Sequence, residues 1–274
     1  MKTVSIIGLG WIGEPLAFHL MGKGLQVQGS TTSGEKQEKI RAKGINAIRF
    51  SLNPYPEGLG FNALFQSEIL VVNIPPRTRS GNGGFHLEQL KYLRSLIDHS
   101  PVRKVIFVSS TGIYPEAPTG EKYGENFLLT FENTGNQTLL QAEQLMDEGR
   151  EFELTIVRFG GLMGEDRIPG KYFSGKEHVA GHTRVNFIHR QDAVRLLGWV
   201  IDKELWNETF NGVAPIHPLR REVYEKNASD LNIAPPISYQ NEPEGNDRLI
   251  DSCKILRTGF EFEFPDPLGF LYDS

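Results

Sequence analysis

The run Gly8-Leu9-Gly10-Trp11-Ile12-Gly13 constrains this chain more than any other stretch of it. It directly follows Thr3 to Ile7, an apolar segment rich in β-branched residues, and it opens a helical pattern from about Trp11 to Lys23 that ends at Gly24. Strand, tight turn and helix in that order give each glycine a task. Gly8 allows the turn, Gly10 presents no Cβ to a pyrophosphate, and Gly13 lets the helix pack closely, so that phosphates can meet the helix N-terminus. The pattern predicts a dinucleotide site on the first strand.

Strand-like runs recur at Gln26 to Gly29, within Ile45 to Leu52, and at Ile69 to Ile74, Lys104 to Val108 and Leu154 to Val157. Helical patterns fall between them at Lys36 to Lys43, Phe85 to His99 and Leu139 to Glu148, with a weak short helix at Phe61 to Gln66. Strands without strict polar alternation, separated by helices, point to a parallel sheet covered on both faces. The expected fold is α/β, a doubly wound Rossmann-type parallel sheet with a smaller C-terminal substrate lobe. After Arg158 the chain turns to Gly-rich loops, the short run Val185 to Ile188, helices at Gln191 to Asp202 and Arg220 to Leu231, and a strand at Thr209 to Asn211. Phe260, Phe262 and Phe264 alternate with Glu261 and Glu263, a half-buried strand pattern. The expected division is residues 1–160 for NAD(P) binding, recruiting strands from 180–212, and residues 161–274 as a lobe interleaved with the first.

Composition narrows the function classes. Of 274 residues only Cys253 is a cysteine, which leaves no intrachain disulfide framework and no Cys-rich zinc site. The 29 basic residues are scattered among 34 acidic ones, for a net charge of −5, so neither a nucleic-acid groove nor a polybasic membrane surface is indicated. No apolar run approaches the length of a membrane span and the N-terminus lacks a signal-peptide pattern, which leads us to expect a soluble cytoplasmic protein, monomer or homodimer. His178 and His182 are four apart, but Gly175 and Gly181 break a helical reading and no acidic ligand sits in register, so no metal is expected.

Which dinucleotide is decided about 20 residues beyond the glycines, at the end of the second strand. The chain there reads Gly29-Ser30-Thr31-Thr32-Ser33, with no acid to hold ribose hydroxyls. Its hydroxyls could donate to a 2′-phosphate and Lys36 or Lys39 could add charge, so NADP is preferred and NAD is the alternative; no Arg stands in this stretch.

Several further segments act together with the fingerprint: Ile69-Leu70-Val71-Val72-Asn73, then Val105 to Tyr114 (VIFVSSTGIY), Ile156-Val157-Arg158 before Gly160, Val185 to His189 with Asp192, and Asp251-Ser252 with Leu256 and Gly259-Phe260. This set resembles the extended short-chain dehydrogenase/reductase superfamily, nearest to its NAD(P)-dependent nucleotide-sugar epimerases and dehydratases, over almost the whole chain. The resemblance implies a dinucleotide along Gly8, Gly10, Trp11, Ile12 and Gly13, at Ser30, Thr31 and Thr32, and at the strand exits of Ile74, Pro75, Arg77 and Ser109. It also implies chemistry by a Ser/Thr after the fifth strand, matched by Ser110 with Ser109 and Thr111 as alternates, and a small-molecule substrate such as a nucleotide-sugar.

The family's Tyr-x-x-x-Lys pair is missing. With Ala142-Glu143 aligned to the Ala-Glu that commonly follows it, Gly135 takes the tyrosine position and Leu139 the lysine position, and neither moves a proton. Tyr114 is the substitute phenol best placed in sequence. Arg158, Tyr172, Asn186 and His189 are candidate substrate contacts. The expectation is an atypical epimerase- or dehydratase-like oxidoreductase; a non-catalytic dinucleotide sensor, or a reductase of another small carbonyl compound, is the alternative.

Overall fold

A computed structural model describes residues 2–76, 83–116, 122–241 and 247–272. The β-branched run at the start forms β1 (Thr3–Ile7), followed by α1 (Gly13–Gly22), β2 (Gln26–Thr31), α2 (Gly34–Ala42) and β3 (Asn46–Arg49). The expected third strand breaks at Phe50, where the chain leaves the main sheet for a small antiparallel hairpin of β4 (Ser51–Leu52) and β5 (Pro56–Glu57). There follow β6 (Ile69–Val72), α3 (Gly83–Asp98), β7 (Lys104–Ser110), α4 (Gln137–Asp147) and β8 (Glu153–Phe159). The rest comprises β9 (Gly161–Met163), β10 (Phe187–His189), α5 (Arg190–Asp202), β11 (Thr209–Gly212), α6 (Arg220–Asp230) and α7 (Cys253–Arg257).

Among the described residues the main sheet has seven strands in the order β11-β8-β7-β6-β1-β2-β3, and the pairs β7·β6, β6·β1, β1·β2 and β2·β3 are all parallel. The strand order reverses at β1, which continues to β2 on one side and to β6 on the other: this is the doubly wound α/β fold, and the reversal puts the exit of β1 at the crevice where such sheets take ligands. Strand β6 has all four residues buried, as the absence of polar alternation requires.

The chain folds as two compact units. One comprises Met1–Ile113, Leu129–Val157 and Val194–Thr209; the other comprises Tyr114–Leu128, Arg158–Ala193 and Phe210–Ser274. The larger core belongs to the first, where Leu70, Val72, Val105 and Phe107 from the strands meet Leu90, Leu93 and Ile97 of α3 and Ala142 and Met146 of α4. The second has smaller clusters, one of Val179, Val185, Val223 and Tyr224 and one of Met163, Ile168 and Tyr272. Its aromatic tail departs from expectation. Phe260 is buried and Phe262 and Phe264 are half-buried beside exposed Glu261 and Glu263, but the segment is no strand. The backbone N–H groups of Glu263 and Phe264 instead donate to the buried carboxylate of Asp192, each at 2.8 Å, so these donors need no neighbouring strand.

One buried cation joins α3 to α4. Arg94 Nη1 donates to the carbonyls of Leu145, Met146 and Glu148 at 2.9, 3.1 and 3.0 Å, Nε donates to Asp98 at 2.7 Å, and the guanidinium lies 5.0 Å from the Phe152 ring centroid. It thus supplies donors to the C-terminal carbonyls of α4, which have no intrahelical partner of their own. Arg94→Ala is expected to lower unfolding stability by about 3 kcal/mol, the cost of leaving such acceptors unpaired. Arg94→Lys should recover little, because one ammonium cannot reproduce the planar fork. Urea denaturation midpoints at unchanged slope check both.

Candidate functional site

The turn between β1 and α1 is held by its neighbours on both sides. Gly8 adopts φ +104°, and a Cβ there would lie 2.5 Å from the carbonyl oxygen of Asn73. A Cβ on Gly13 would lie 2.1 Å from the Gly8 carbonyl oxygen. Both collisions are with backbone, which cannot swing aside, so the fold itself requires these two glycines. At Gly10 a Cβ would meet nothing within 4 Å. The space above Gly10 is open, and α1 begins there with no side-chain cap on its first N–H groups, whereas Ser33 caps α2 and Asn136 caps α4. A helix end left uncapped beside a bare backbone fits a pyrophosphate. Trp11, next in the chain, is half-buried, and Ile12 is buried.

Ser30 is 3 % exposed, and its hydroxyl oxygen accepts the Gly8 N–H at 2.9 Å while its carbonyl accepts the Leu9 N–H at 2.7 Å. Its first task is to brace the turn. Thr31 is buried and Thr32 exposed. Asn73, which sequence reasoning left out of the site, donates from Nδ2 to the Gly8 carbonyl at 3.2 Å. Its signal was its position, immediately after a fully apolar strand. Ile74 packs on the core of its unit and Pro75 is exposed. Arg77 lies outside the described residues.

At the exit of β7 the three hydroxyls have separate partners. Ser109 donates to Glu143 Oε1 at 2.5 Å, and both residues are buried. Ser110 is half-buried and its oxygen accepts the Gly112 N–H at 3.1 Å, which leaves its own proton available as a donor. Thr111 is buried at the start of a short 3-10 turn. Gly135 lies before the Asn136 cap, outside α4, and its N–H donates to the Ile113 carbonyl at 3.0 Å. Leu139 is buried on α4. The position aligned with the family's tyrosine is thus not helical here, and that of its lysine belongs to the core.

In the second unit Tyr114 is fully buried and stacks on Tyr123 with ring centroids 5.5 Å apart. Its hydroxyl accepts from Arg158 Nη1 at 2.9 Å and donates to Asn211 Oδ1 at 2.9 Å. Burial pushes the phenol above its ordinary pKa, opposed in part by the Arg158 guanidinium. Asn211 also donates from Nδ2 to the Asp251 carbonyl at 2.9 Å, and its N–H donates to Glu125 at 2.8 Å. Burial raises the Glu125 carboxyl in turn. The network brings together Tyr114 and Arg158 and adds Asn211 and Glu125, which sequence reasoning missed because their partners are distant in the chain.

The other candidates stand apart. Asn186 uses both ends of its amide to pin one segment, donating to the Arg248 carbonyl at 2.7 Å and accepting the Ile250 N–H at 2.9 Å. His189 is 1 % exposed between Phe264 and Phe270, with centroids 4.3 and 4.2 Å away, and burial lowers its pKa so that the ring stays neutral. Tyr172 is 61 % exposed. Tyr114→Phe leaves the Asn211 oxygen without its phenolic donor and is expected to cost about 1–2 kcal/mol of stability, read by urea denaturation. An unchanged midpoint would show that the hydroxyl does not support this unit.

No family model matches the chain. It is 31% identical over 279 residues to Protein YeeZ of Escherichia coli strain K12, covering 98% of each chain. Among solved structures it is similar to a short-chain dehydrogenase/reductase superfamily protein from Agrobacterium tumefaciens with bound NAD, at TM-score 0.76 and 18% identity over 97% of this chain and 94% of that one. It is also similar to the UDP-glucose 4-epimerase of Thermotoga maritima with UDP-glucose, at TM-score 0.78 and 14% identity over 97% and 96%. By its sequence the chain belongs to the family of Escherichia coli Protein YeeZ, and its fold is that of the short-chain dehydrogenase/reductase and epimerase superfamily.

Proposed function

We propose that this protein binds NAD(P)(H) at the β1–α1 turn and transfers hydride to or from a nucleotide-sugar or similar small polar substrate, as an atypical epimerase- or dehydratase-like oxidoreductase. The observation that carries the reading is the contrast among the three glycines. Two are demanded by backbone contacts, whereas Gly10 faces open space at an uncapped helix start, and the fold gives no reason for its missing side chain. The superfamily fold and the NAD bound to the Agrobacterium tumefaciens protein support the same reading. Between the two dinucleotides NADP is the better fit, since the exit of β2 carries hydroxyls and no acid.

A bound dinucleotide supplies the hydride chemistry. The chain would hold its pyrophosphate at Gly8 to Gly13 and its adenosine ribose near Thr31 and Thr32, with Ile74, Pro75 and Ser109 along the strand exits and Arg77 added by the sequence resemblance alone. Ser110 would donate its free proton to a substrate oxygen as charge develops on it. Tyr114 would act through Arg158 as a positioning residue, because a buried phenol with a raised pKa is a poor proton acceptor at neutral pH. A second reading is a dinucleotide sensor without turnover, favoured by Gly135 lying outside α4 and by Leu139 lying in the core.

Thermal-shift and calorimetric titration with the four oxidised and reduced dinucleotides tests the first step. At least one should stabilise the protein, and the reading fails if none does. Gly10→Val should keep the melting temperature of the free protein, since a Cβ there meets no protein atom within 4 Å, and should abolish dinucleotide binding. With a substrate found from a nucleotide-sugar panel, Ser110→Ala is expected to cut turnover about a hundredfold at unchanged cofactor affinity. Binding without turnover across the panel would favour the sensor.

A further inference from the structure

The exit of β2 offers no guanidinium of its own, yet the sheet register brings one there. In the parallel pair β2·β3, Thr31 is the partner of Arg49, and the next N–H, that of Phe50, donates to the Thr31 carbonyl at 3.0 Å. Partnered residues of neighbouring strands project to the same face and stand about 4.8 Å apart. β3 is the edge of the sheet among the described residues, where no further strand covers Arg49, and its side chain is exposed. Its backbone is fixed from below: a Cβ on Gly58 would come within 2.3 Å of the Arg49 carbonyl oxygen, which seats the β4–β5 hairpin against it.

Of the neighbouring cations, Lys39, Lys43 and Arg41 are committed elsewhere, and Lys36 in the first turn of α2 stands as a second charge beside Arg49. Lys39 pairs with Glu35 and Lys43 with Glu14, each at 2.6 Å, and Arg41 Nε donates to the Ala47 carbonyl at 2.8 Å. Among the described residues no carboxylate or carbonyl engages the Arg49 guanidinium. An unengaged fork next to Thr31 and the exposed hydroxyl of Thr32 matches a dianionic phosphate, and the end of the second strand is where the ribose 2′ position of a dinucleotide is read.

We infer that Arg49 is the specificity-determining residue of the cofactor site and binds the 2′-phosphate that distinguishes NADP(H) from NAD(H). The inference rests on the dinucleotide reading above. Because Arg49 lies 18 positions beyond Thr31, on the next strand, no local motif announces it; the sheet register does.

The test is calorimetric titration of NADPH and NADH into the full chain and its Arg49→Ala, Arg49→Lys and Arg49→Glu variants. The wild type should bind NADPH more tightly than NADH. Arg49→Ala should weaken NADPH about tenfold or more, as loss of a charge-assisted contact does, and leave NADH unaltered. Arg49→Lys should retain part of the preference, and Arg49→Glu should reverse it. Unchanged NADPH affinity in Arg49→Ala would overturn the inference while leaving cofactor binding intact, and so would an equal loss for both dinucleotides. A wild type that binds neither refutes the dinucleotide reading itself, which makes the two failures distinct.

Discussion

The carbonyl and amide of Gly8 are the points on which three strands converge. Ser30 at the end of β2 takes the Gly8 N–H, Asn73 after β6 donates to the Gly8 carbonyl, and Gly13 at the head of α1 packs on that same carbonyl with no room for a Cβ. Each contact has a side chain or backbone atom from a different element, so the turn cannot shift without disturbing the central strands of the sheet together. Ser30 therefore serves the shape of the turn before it serves any ligand. The hydroxyls left for recognition at this edge are the exposed ones further along, beginning at Thr32.

Much of this was legible from local pattern. The β-branched run, the three glycines and the apolar stripe of α3 each act within a few residues of chain, and the doubly wound sheet follows from repeating them. Where the sequence reading departs from the structure, the deciding partner is distant. The Phe260–Phe264 alternation has the burial of a strand, but Asp192 takes its backbone donors. Asn211 lies in the short strand expected there, and distant partners also make it the junction that joins Tyr114, Glu125 and the Asp251 carbonyl. Arg49 is silent in sequence because its neighbour across the sheet, Thr31, is set by register alone.

The polar groups of the second unit are largely consumed within it. Tyr114, Asn211 and Asn186 each have hydrogen-bond partners on both sides, and His189 is enclosed by aromatic rings. Residues of this kind look catalytic in a sequence because they are polar, aromatic and near glycine-rich loops. In the folded chain Tyr114, Asn211 and Asn186 satisfy buried backbone and one another, whereas His189 accepts the Gln191 N–H at Nδ1 and leaves Nε2 among the rings. Ser110 differs from them, since accepting one N–H leaves its hydroxyl proton uncommitted by that bond.

Two sets of missing side chains then point in opposite directions. At Gly135 and Leu139 the superfamily's proton-relay positions have explanations within the fold: one precedes the cap of α4 and bonds the Ile113 carbonyl, the other fills the core. At Gly10 the fold supplies no explanation, because a side chain would meet nothing. Gly22, Gly34, Gly84 and Gly124 likewise face open space without a positive φ, and what sets Gly10 apart is its place before the uncapped start of α1, after the first strand, where a pyrophosphate can approach. The ligand proposed for the first turn therefore does not depend on whether a relay exists, and binding is the property on which this turn's geometry bears most directly.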